Sequence, residues 1–368
     1  MPVTRNLMTA GVLATGLSLA AAGNAVAQDW QAEWDAVLEE ANGQELNVVI
    51  QPNEAFEAVV REFMNRFPEI DTQVSIIHPS QFAPRVVTEQ EGGVFAWDVW
   101  WSTASNMNNV VLPADGLEPI TDYLILPEVA DESNWQDADF IYTSDRGPYV
   151  FVHTHFLQNL GLYNTDMVPG GELTLENITD PSLVGKVAIR APSRPHGGTM
   201  MLAQIAKTAG SDVLQTLMTD MEPVFIDNDQ QVTMSVISGE FAIGIGTTEQ
   251  IYAECRMEGG CQNIEMFPVS FMHSRSVSVL KNPPNPAAAK VFVNWILSRE
   301  GQEVYVQEWA SRNTSGAFSN RRDVEGDPTH AGSVPDFSNL DQYVAVSLDS
   351  GTADLRAVVD LYNSVRAE

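Results

Sequence analysis

Short apolar segments alternate with amphipathic helical segments along most of this 368-residue chain. The first series has an apolar run at 46–50, a helical segment with one apolar face that stops at Pro68, and a second run at 72–77. A strand, a helix and another strand at this spacing are typical of a largely parallel sheet. A second series begins near Tyr149, and no linker separates the two. The sequence therefore predicts an α/β fold whose two lobes share crossing strands.

The second series predicts strands at 148–156, 185–189 and 241–246. Helices are predicted at 199–209, where Gly210 ends the segment, and at 231–238. Ser211 is expected to cap the helix that follows it. Asn285 is expected to cap another helix, because Pro286 fits the first helical turn.

The first residues do not have the pattern of the lobes. Arg5 precedes an apolar stretch at 7–23, and small residues at 25–27 follow it. This arrangement indicates a secretory signal peptide (1–27) that is cleaved after Ala27, with a membrane anchor as the alternative. The predicted protein is therefore periplasmic. We expect lobe 1 to contain 28–147 plus 266–312, and lobe 2 to contain 148–265 plus 313–368.

Charge and cysteine content narrow the possible partners. The chain has 49 acidic and 19 basic residues, a formal net charge of −30. Such a surface argues against nucleic acid as a partner, because phosphates require a basic footprint. The two cysteines, Cys255 and Cys261, are expected to form a small disulfide loop in an oxidising compartment. They lack nearby histidines that would complete a metal site.

Several phrases resemble one family when they are taken in order. They are residues 162–166 (LYNTD), 180–189 (DPSLVGKVAI), 238–244 (SGEFAIG) and 279–302, which include VLKN, NPAAAK and LSREGQ. In this order the chain resembles bacterial extracellular solute-binding proteins of the ferric-iron ABC transporter type, a family 1-like periplasmic binding protein. The resemblance implies a type II-like two-lobed α/β fold with a cleft between the lobes. It also implies a monomer without a cofactor that delivers a small molecule to a membrane permease and its ATPase.

The chain departs from the ferric-binding pattern at one informative place. Ferric-binding members bring an adjacent tyrosine pair to the metal, whereas the matching place here is Ile251-Tyr252. The sequence therefore favours an organic anion or a phospho-compound as the ligand. Two alternatives stay open: ferric iron held through Tyr252, and a cation such as thiamine or a polyamine facing Glu249 and Asp98.

The segment 191–199 is the strongest candidate binding site. Ligands of open α/β sheets bind beyond the carboxyl ends of the strands, and this segment joins a predicted strand to a helix. Its glycines would let backbone amides approach an anion, and Arg194 could hold a carboxylate with two parallel hydrogen bonds. The alternative is an ordinary capped helix start with a solvated arginine. The candidate residues are Ser193, Arg194, His196, Gly197, Gly198 and Thr199.

Other strand ends supply further candidates, each with a structural alternative. The polar side chains after the first strands could cap helices, a tryptophan beside a strand is more often core, and a His-x-His pair without a third ligand is more often structural. An arginine beside the predicted cleft could equally lie on the surface. These candidates are Gln51, Asn53, Trp101, Ser102, His153, Glu249, Gln250, Tyr252 and Arg275.

A secreted enzyme is the rival class. The sequence contains no Gly-x-Ser-x-Gly elbow, no His-Glu-x-x-His helix and no phosphate loop ending in Gly-Lys-Ser/Thr. Lys186 follows Gly185, but the next residue is a valine within a predicted strand. We therefore predict a binding protein and not an enzyme.

Overall fold

The computed structural model describes residues 30–136, 147–194, 196–312, 318–326, 334–344 and 349–367. The predicted signal peptide and its cleavage point lie outside the described residues. Within these ranges, every helix is too short or too polar to cross a lipid bilayer.

Ten strands form two five-stranded sheets in the described part of the chain. The first sheet has the order β2-β1-β3-β10-β4, and the second has the order β7-β6-β8-β5-β9. In the first sheet β1 pairs in parallel with β2 and β3, whereas β10 pairs antiparallel with β3 and β4. In the second sheet β6 pairs in parallel with β7 and β8, and β5 pairs antiparallel with β8 and β9. The strands are β1 (Glu45–Ile50), β2 (Asp71–Ile76), β3 (Val99–Ser102), β4 (Phe151–Gln158), β5 (Gly161–Asn164), β6 (Val187–Arg190), β7 (Val224–Ile226), β8 (Ile243–Ile245), β9 (Ile264–Met266) and β10 (Phe271–Val279).

Helices flank both sheets, which confirms the predicted two-lobed α/β fold. The helices of eight residues or more are α1 (30–41), α2 (Glu54–Arg66), α3 (Pro79–Glu91), α4 (Gly197–Ala209), α5 (Ser211–Met218), α6 (Asp229–Ile237), α7 (Glu249–Met257), α8 (Pro286–Leu297), α9 (Arg299–Arg312) and α10 (Asp349–Ala367). Each lobe has its own apolar core. The core beside the first sheet includes Phe56, Phe63 and Phe292, and the core beside the second includes Ile189, Met201 and Ile245.

Two predicted caps differ from the structure. Gly210, and not Ser211, is the N-cap of α5, because its φ of 104° suits glycine and makes Ser211 the first helical residue. Asn285 does occupy the N-cap position of α8, but its side chain makes no capping hydrogen bond. Its Nδ2 instead donates to Oδ2 of Asp98 at 3.2 Å.

In the described part of the chain, two short segments lead directly from a strand of one sheet to a strand of the other. Residues 159–160 lead from β4 to β5, and residues 267–270 lead from β9 to β10. They are hydrogen-bonded to each other, since Nδ2 of Asn159 donates to the carbonyl of Phe267 at 2.5 Å. The predicted lobe boundaries stay a prediction. Because β4 pairs within the first sheet, we propose that the first crossing lies at residues 159–160 and not at residue 147.

Cys255 and Cys261 form the predicted disulfide, with 5.8 Å between their Cα atoms. This disulfide joins the last turns of α7 to the segment that leads into β9. None of the residues of α7 is fully buried. The disulfide therefore helps to hold a helix that has little apolar packing of its own.

Candidate functional site

A cavity of about 320 Å³ lies between the two sheets and receives residues from both. From the first sheet and its helices come Asn53, Gln158, Arg275 and Trp309. From the crossing segment and the second sheet come Leu160, Arg190, Gly197, Asp229, Thr247, Thr248, Glu249 and Gln250. A concave site of this volume with convergent polar groups suits a small molecule.

Arg275, on β10, is the most unusual side chain of the cavity wall. Only 7% of the residue is exposed, and its Nε has no hydrogen-bond partner. Its guanidinium carbon lies 4.6 Å from the ring centre of Phe156 and 4.7 Å from that of Trp309. Burial lowers the pKa of Arg275, which means that its surroundings disfavour the charge. An anion in the cavity would supply the missing partner.

The other three ionisable groups of the cavity belong to the second lobe. Arg190 ends β6, and its Nη1 lies 3.2 Å from Oδ2 of Asp229, at the start of α6. Glu249 begins α7 and accepts hydrogen bonds from the side chain of Gln158 and the backbone of Asn159. Burial raises the pKa of Glu249 in spite of these bonds.

Two glycines allow the backbone to pack closely around Arg190. A Cβ on Gly246 would lie 2.6 Å from Cβ of Arg190 and 3.0 Å from Cα of Gly198. A Cβ on Gly198 would lie 3.3 Å from the same Cβ of Arg190. Gly246 also has a φ of +85°, where a side chain is strained. The two glycines therefore hold Arg190 at the cavity wall.

Gly246→Ala is expected to lower the free energy of unfolding by about 3 kcal/mol, because the positive φ and the steric clash each contribute. Gly185→Ala is the matched control, since its φ is +72° but its added Cβ would meet nothing within 4 Å. The control should lose only about 1 kcal/mol, the backbone contribution. Urea denaturation of both variants measures the difference. Equal losses would contradict a packing role for Gly246.

The N-terminus of α4 is already capped by a side chain. Nδ1 of His196 accepts from the backbone N–H groups of Gly198 and Thr199, and its Nε2 donates to the carbonyl of Ala191 at 3.0 Å. Oγ1 of Thr199 donates to the carbonyl of Arg194 at 2.8 Å. The amides predicted to bind an anion are therefore occupied by His196. Of this segment, Gly197 lines the cavity, whereas Ser193 and Arg194 are exposed and do not line it.

Several other candidates lie in the core of the first lobe. Trp101 is fully buried, and its Nε1 donates to Nε2 of His153 at 2.8 Å. Ser102 is also fully buried, and its hydroxyl donates to Oε1 of Gln51 at 3.0 Å. None of these four side chains lines the cavity. The buried positions of Trp101 and His153 agree with the structural alternatives given for them, whereas Ser102 and Gln51 bond to each other and cap no helix.

Asp98 and Tyr252 do not line the cavity either. Asp98 is fully buried and accepts from the backbone N–H groups of Asn47 at 2.8 Å and Asn285 at 2.7 Å. It therefore joins β1 to the start of α8 and does not line the cavity as the cation alternative expected. The hydroxyl of Tyr252 donates to the carbonyl of Ile264 at 3.2 Å, and Tyr252 is not a cavity residue.

The structure brings together Asn53, Gly197, Glu249, Gln250 and Arg275 from the predicted set. Their roles in binding stay predictions. Oδ1 of Asn53 also caps α2 by accepting from Ala55 N at 2.8 Å. The predicted set lacks the cavity residues Gln158, Leu160, Arg190, Asp229, Thr247, Thr248 and Trp309.

Some of the missed residues could have been found from the sequence, and one could not. Arg190 ends a strand and Asp229 begins a helix after the next strand. The rule that ligands bind at the carboxyl ends of strands could have found both. Trp309 lies on α9, far along the chain from any strand of the second lobe, and had no such signal.

Metal ligands do not cluster in the described ranges. Within them, no group of three or more His, Cys, Asp and Glu side chains is arranged to hold a metal ion. His153 and His155 form the His-x-His pair of the sequence, and both are buried. Nδ2 of Asn320 donates to Nδ1 of His155 at 2.9 Å.

Solved structures with the same fold include several periplasmic binding proteins. Iron-bound HitA from Pseudomonas aeruginosa is 17% identical, with a TM-score of 0.61 over 87% of this chain and 99% of that one. Ferric iron-binding protein A of Mannheimia haemolytica in an open conformation is 17% identical, with a TM-score of 0.63 over 88% and 98%. AfuA from Actinobacillus pleuropneumoniae, with fructose-6-phosphate bound, is 17% identical, with a TM-score of 0.56 over 87% and 99%. At this identity the likeness concerns the fold.

Sequence comparison supplies the family. An uncharacterized protein of Haemophilus influenzae is 29% identical over 136 residues, which are 35% of this chain and 38% of that relative. Residues 46–308 match the sequence profile of the bacterial extracellular solute-binding proteins, which covers both sheets. The resemblance seen in the sequence is thus confirmed, and the chain belongs to the bacterial extracellular solute-binding proteins.

Proposed function

We propose that this protein is the periplasmic binding component of an ABC importer and that its solute is a small organic anion or phospho-compound. The observation that carries this proposal is Arg275, a buried cation on the wall of the cavity between the lobes, with an unpartnered Nε. Leaving a buried charged group unpaired costs several kcal/mol, so a ligand that neutralises it gains a large differential affinity.

Hinged closure follows from the two connections between the sheets. The solute would bind to one lobe, and groups of the other lobe would complete the site and exclude water. The two crossing segments at 159–160 and 267–270 are the natural place for the backbone rotation. The closed form would then dock on a membrane permease, and an ATPase on the far side of the membrane would drive release.

Ferric iron and organic cations fit the cavity less well. The hydroxyl of Tyr252 is engaged with a backbone carbonyl outside the cavity. Glu249 is the single acidic group of the cavity that has no arginine within ion-pair distance in the described structure, because Asp229 pairs with Arg190. AfuA, one of the proteins with this fold, binds a sugar phosphate according to its structure, which supports a phospho-compound as one class to test.

The test combines native mass spectrometry of the protein as purified with a thermal-shift screen of carboxylates, phosphonates, sugar phosphates, thiamine, polyamines and Fe³⁺. At about 100 times the Kd, an anion should raise the free energy of unfolding by about 2.7 kcal/mol. Small-angle scattering with that anion should show a smaller radius of gyration. Binding of Fe³⁺ or of a polyamine without any anion, or no compaction with the bound anion, would contradict the proposal.

A further inference from the structure

We propose that the solute is a small zwitterion, with its anionic group at Arg275 and a cationic nitrogen at Glu249. This inference rests on the proposed function and specifies its substrate class. It depends on the charges that remain unpaired in the cavity and on the lobes that carry them.

The cavity contains two arginines and two carboxylates among its described lining residues. Arg190 and Asp229 form an ion pair at 3.2 Å and neutralise each other within the second lobe. Arg275 and Glu249 remain, and neither has an oppositely charged side chain within 4 Å in the part of the chain that the structure describes. Arg275 and Glu249 attract each other, but no ion pair joins them in the described structure, so the cavity offers one cation and one anion with which a ligand can pair.

Arg275 supplies the cationic end. A guanidinium has five N–H donors. This one has an unpartnered Nε, long contacts of 3.5 Å from Nη1 to Nδ1 of His273 and the carbonyl of Ser274, and an interaction with the side chain of Tyr305. The rings of Phe156 and Trp309 cover the guanidinium and exclude water from it. Carboxylate, sulfonate and phosphoryl groups are the partners that this donor arrangement favours.

Glu249 supplies the anionic end from the other lobe. The side chain of Gln158 and the backbone N–H of Asn159 hold the carboxylate in place. Two accepted bonds leave acceptor capacity, because a carboxylate has about four lone-pair sites. Both donors are neutral, and Arg275 acts on the carboxylate only from beyond ion-pair distance, so a cationic group of the ligand could still approach Glu249 more closely.

In the closed form of the protein, a zwitterion should bind much more tightly than a simple anion. A simple anion would neutralise Arg275 but would be enclosed with the Glu249 carboxylate, and like charges in a low-dielectric site repel strongly. A zwitterion neutralises both groups. Because Arg275 lies on β10 of the first lobe and Glu249 on α7 of the second, the same molecule would also bridge the lobes and favour the closed form.

Three matched pairs test the inference by isothermal titration calorimetry at neutral pH: β-alanine and propionate, taurine and ethanesulfonate, and phosphoethanolamine and ethyl phosphate. In at least one pair the amino compound should bind at least about 30-fold more tightly, which corresponds to about 2 kcal/mol. Glu249→Gln should reduce this preference to less than about threefold while the protein stays folded. Glu258→Gln is the control, because it removes the same charge from an exposed site at the C-cap of the same helix, outside the cavity.

The other outcomes distinguish a failure of the zwitterion proposal alone from a failure of the proposed function as well. If the amine-free member of each binding pair binds as tightly as its partner, the zwitterion is rejected and the anion receptor stands. If the preference persists in Glu249→Gln, the cationic subsite lies elsewhere and the inference is overturned. If none of the six compounds binds at millimolar concentration but thiamine or a polyamine does, both proposals fail.

Discussion

Arg275→Met is expected to weaken solute binding strongly and to make the ligand-free protein more stable. Loss of a charge-assisted, two-pronged contact should weaken binding on the order of 100-fold or more. The stability effect has two opposing contributions. The cation–π contacts with Phe156 and Trp309 disappear, at about 1–2 kcal/mol each, but so does the several-kcal/mol cost of burying an unpaired charge. Methionine also packs well against aromatic rings.

We therefore expect the free energy of unfolding of the ligand-free variant to rise by about 1–2 kcal/mol. Urea denaturation after removal of co-purified solute measures this change, and calorimetry with the identified solute measures binding. Arg194→Met is the matched control: Arg194 is exposed, so its replacement should change stability by less than about 0.5 kcal/mol and leave affinity unchanged. A variant that binds normally but is strongly destabilised would show that Arg275 is structural.

The secondary structure and family were predictable because they depend on local patterns. Local patterns located β1, α2, β2 and α8, and the ordered phrases between residues 162 and 302 identified the family. Ser211 failed as a cap because Gly210 can adopt a positive φ that no pattern of polar residues reveals. Local residue patterns thus determined which helices and strands form, whereas the backbone conformation of single residues determined where they begin or end.

The site was less predictable, because the spacing of residues along the sequence does not show where a side chain points or which distant residues it contacts. Arg190 and Arg194 are four residues apart near the end of one strand, yet only Arg190 lines the cavity. His196 looked like a ligand group, but it caps α4 because its ring nitrogen can reach two backbone N–H groups. Trp309 comes to the cavity through the packing of α9 against α2, a contact between distant parts of the chain.

Acidification from pH 7 to pH 5 is expected to lower the free energy of unfolding by about 4 kcal/mol through His153 and His155. His153 and His155 are buried, and burial lowers the pKa of His153 to about 3 and that of His155 to about 4. Burial also lowers the pKa of His273 to about 3, so this histidine adds to the loss. Nε2 of His153 also accepts from Nε1 of Trp101, so a proton on that nitrogen would face another donor. Side-chain hydrogen bonds with Gln302 and Asn320 raise the pKa of His153 and of His155 respectively, but burial is the larger effect.

The sign follows from the protons that each state binds. In the unfolded chain these histidines titrate near pH 6.5, so below that pH the unfolded state takes up protons that the folded state refuses. The stabilisation is complete above about pH 6.5 and is lost as the pH falls towards the folded pKa values, at about 1.4 kcal/mol per pH unit for each histidine. Burial raises the pKa of Asp98 and of Glu249, which stabilises the folded state at lower pH and acts against this loss. Measurement at pH 5 limits that opposing contribution, since most carboxylates titrate below it.

His153→Gln tests the assignment by urea denaturation at both pH values. Its amide oxygen can still accept from Trp101, but it cannot take up a proton, so the loss between pH 7 and pH 5 should shrink by about 2 kcal/mol. His78→Gln removes an exposed imidazole and should leave the loss unchanged. If the unmodified protein were equally stable at both pH values, the buried histidines would not control its acid stability. If His153→Gln kept the full loss, His153 would not contribute to it. A result that follows the prediction would mean that the first lobe weakens in acid through its core, because His153 and His155 lie on β4, the strand that leads into the crossing segment.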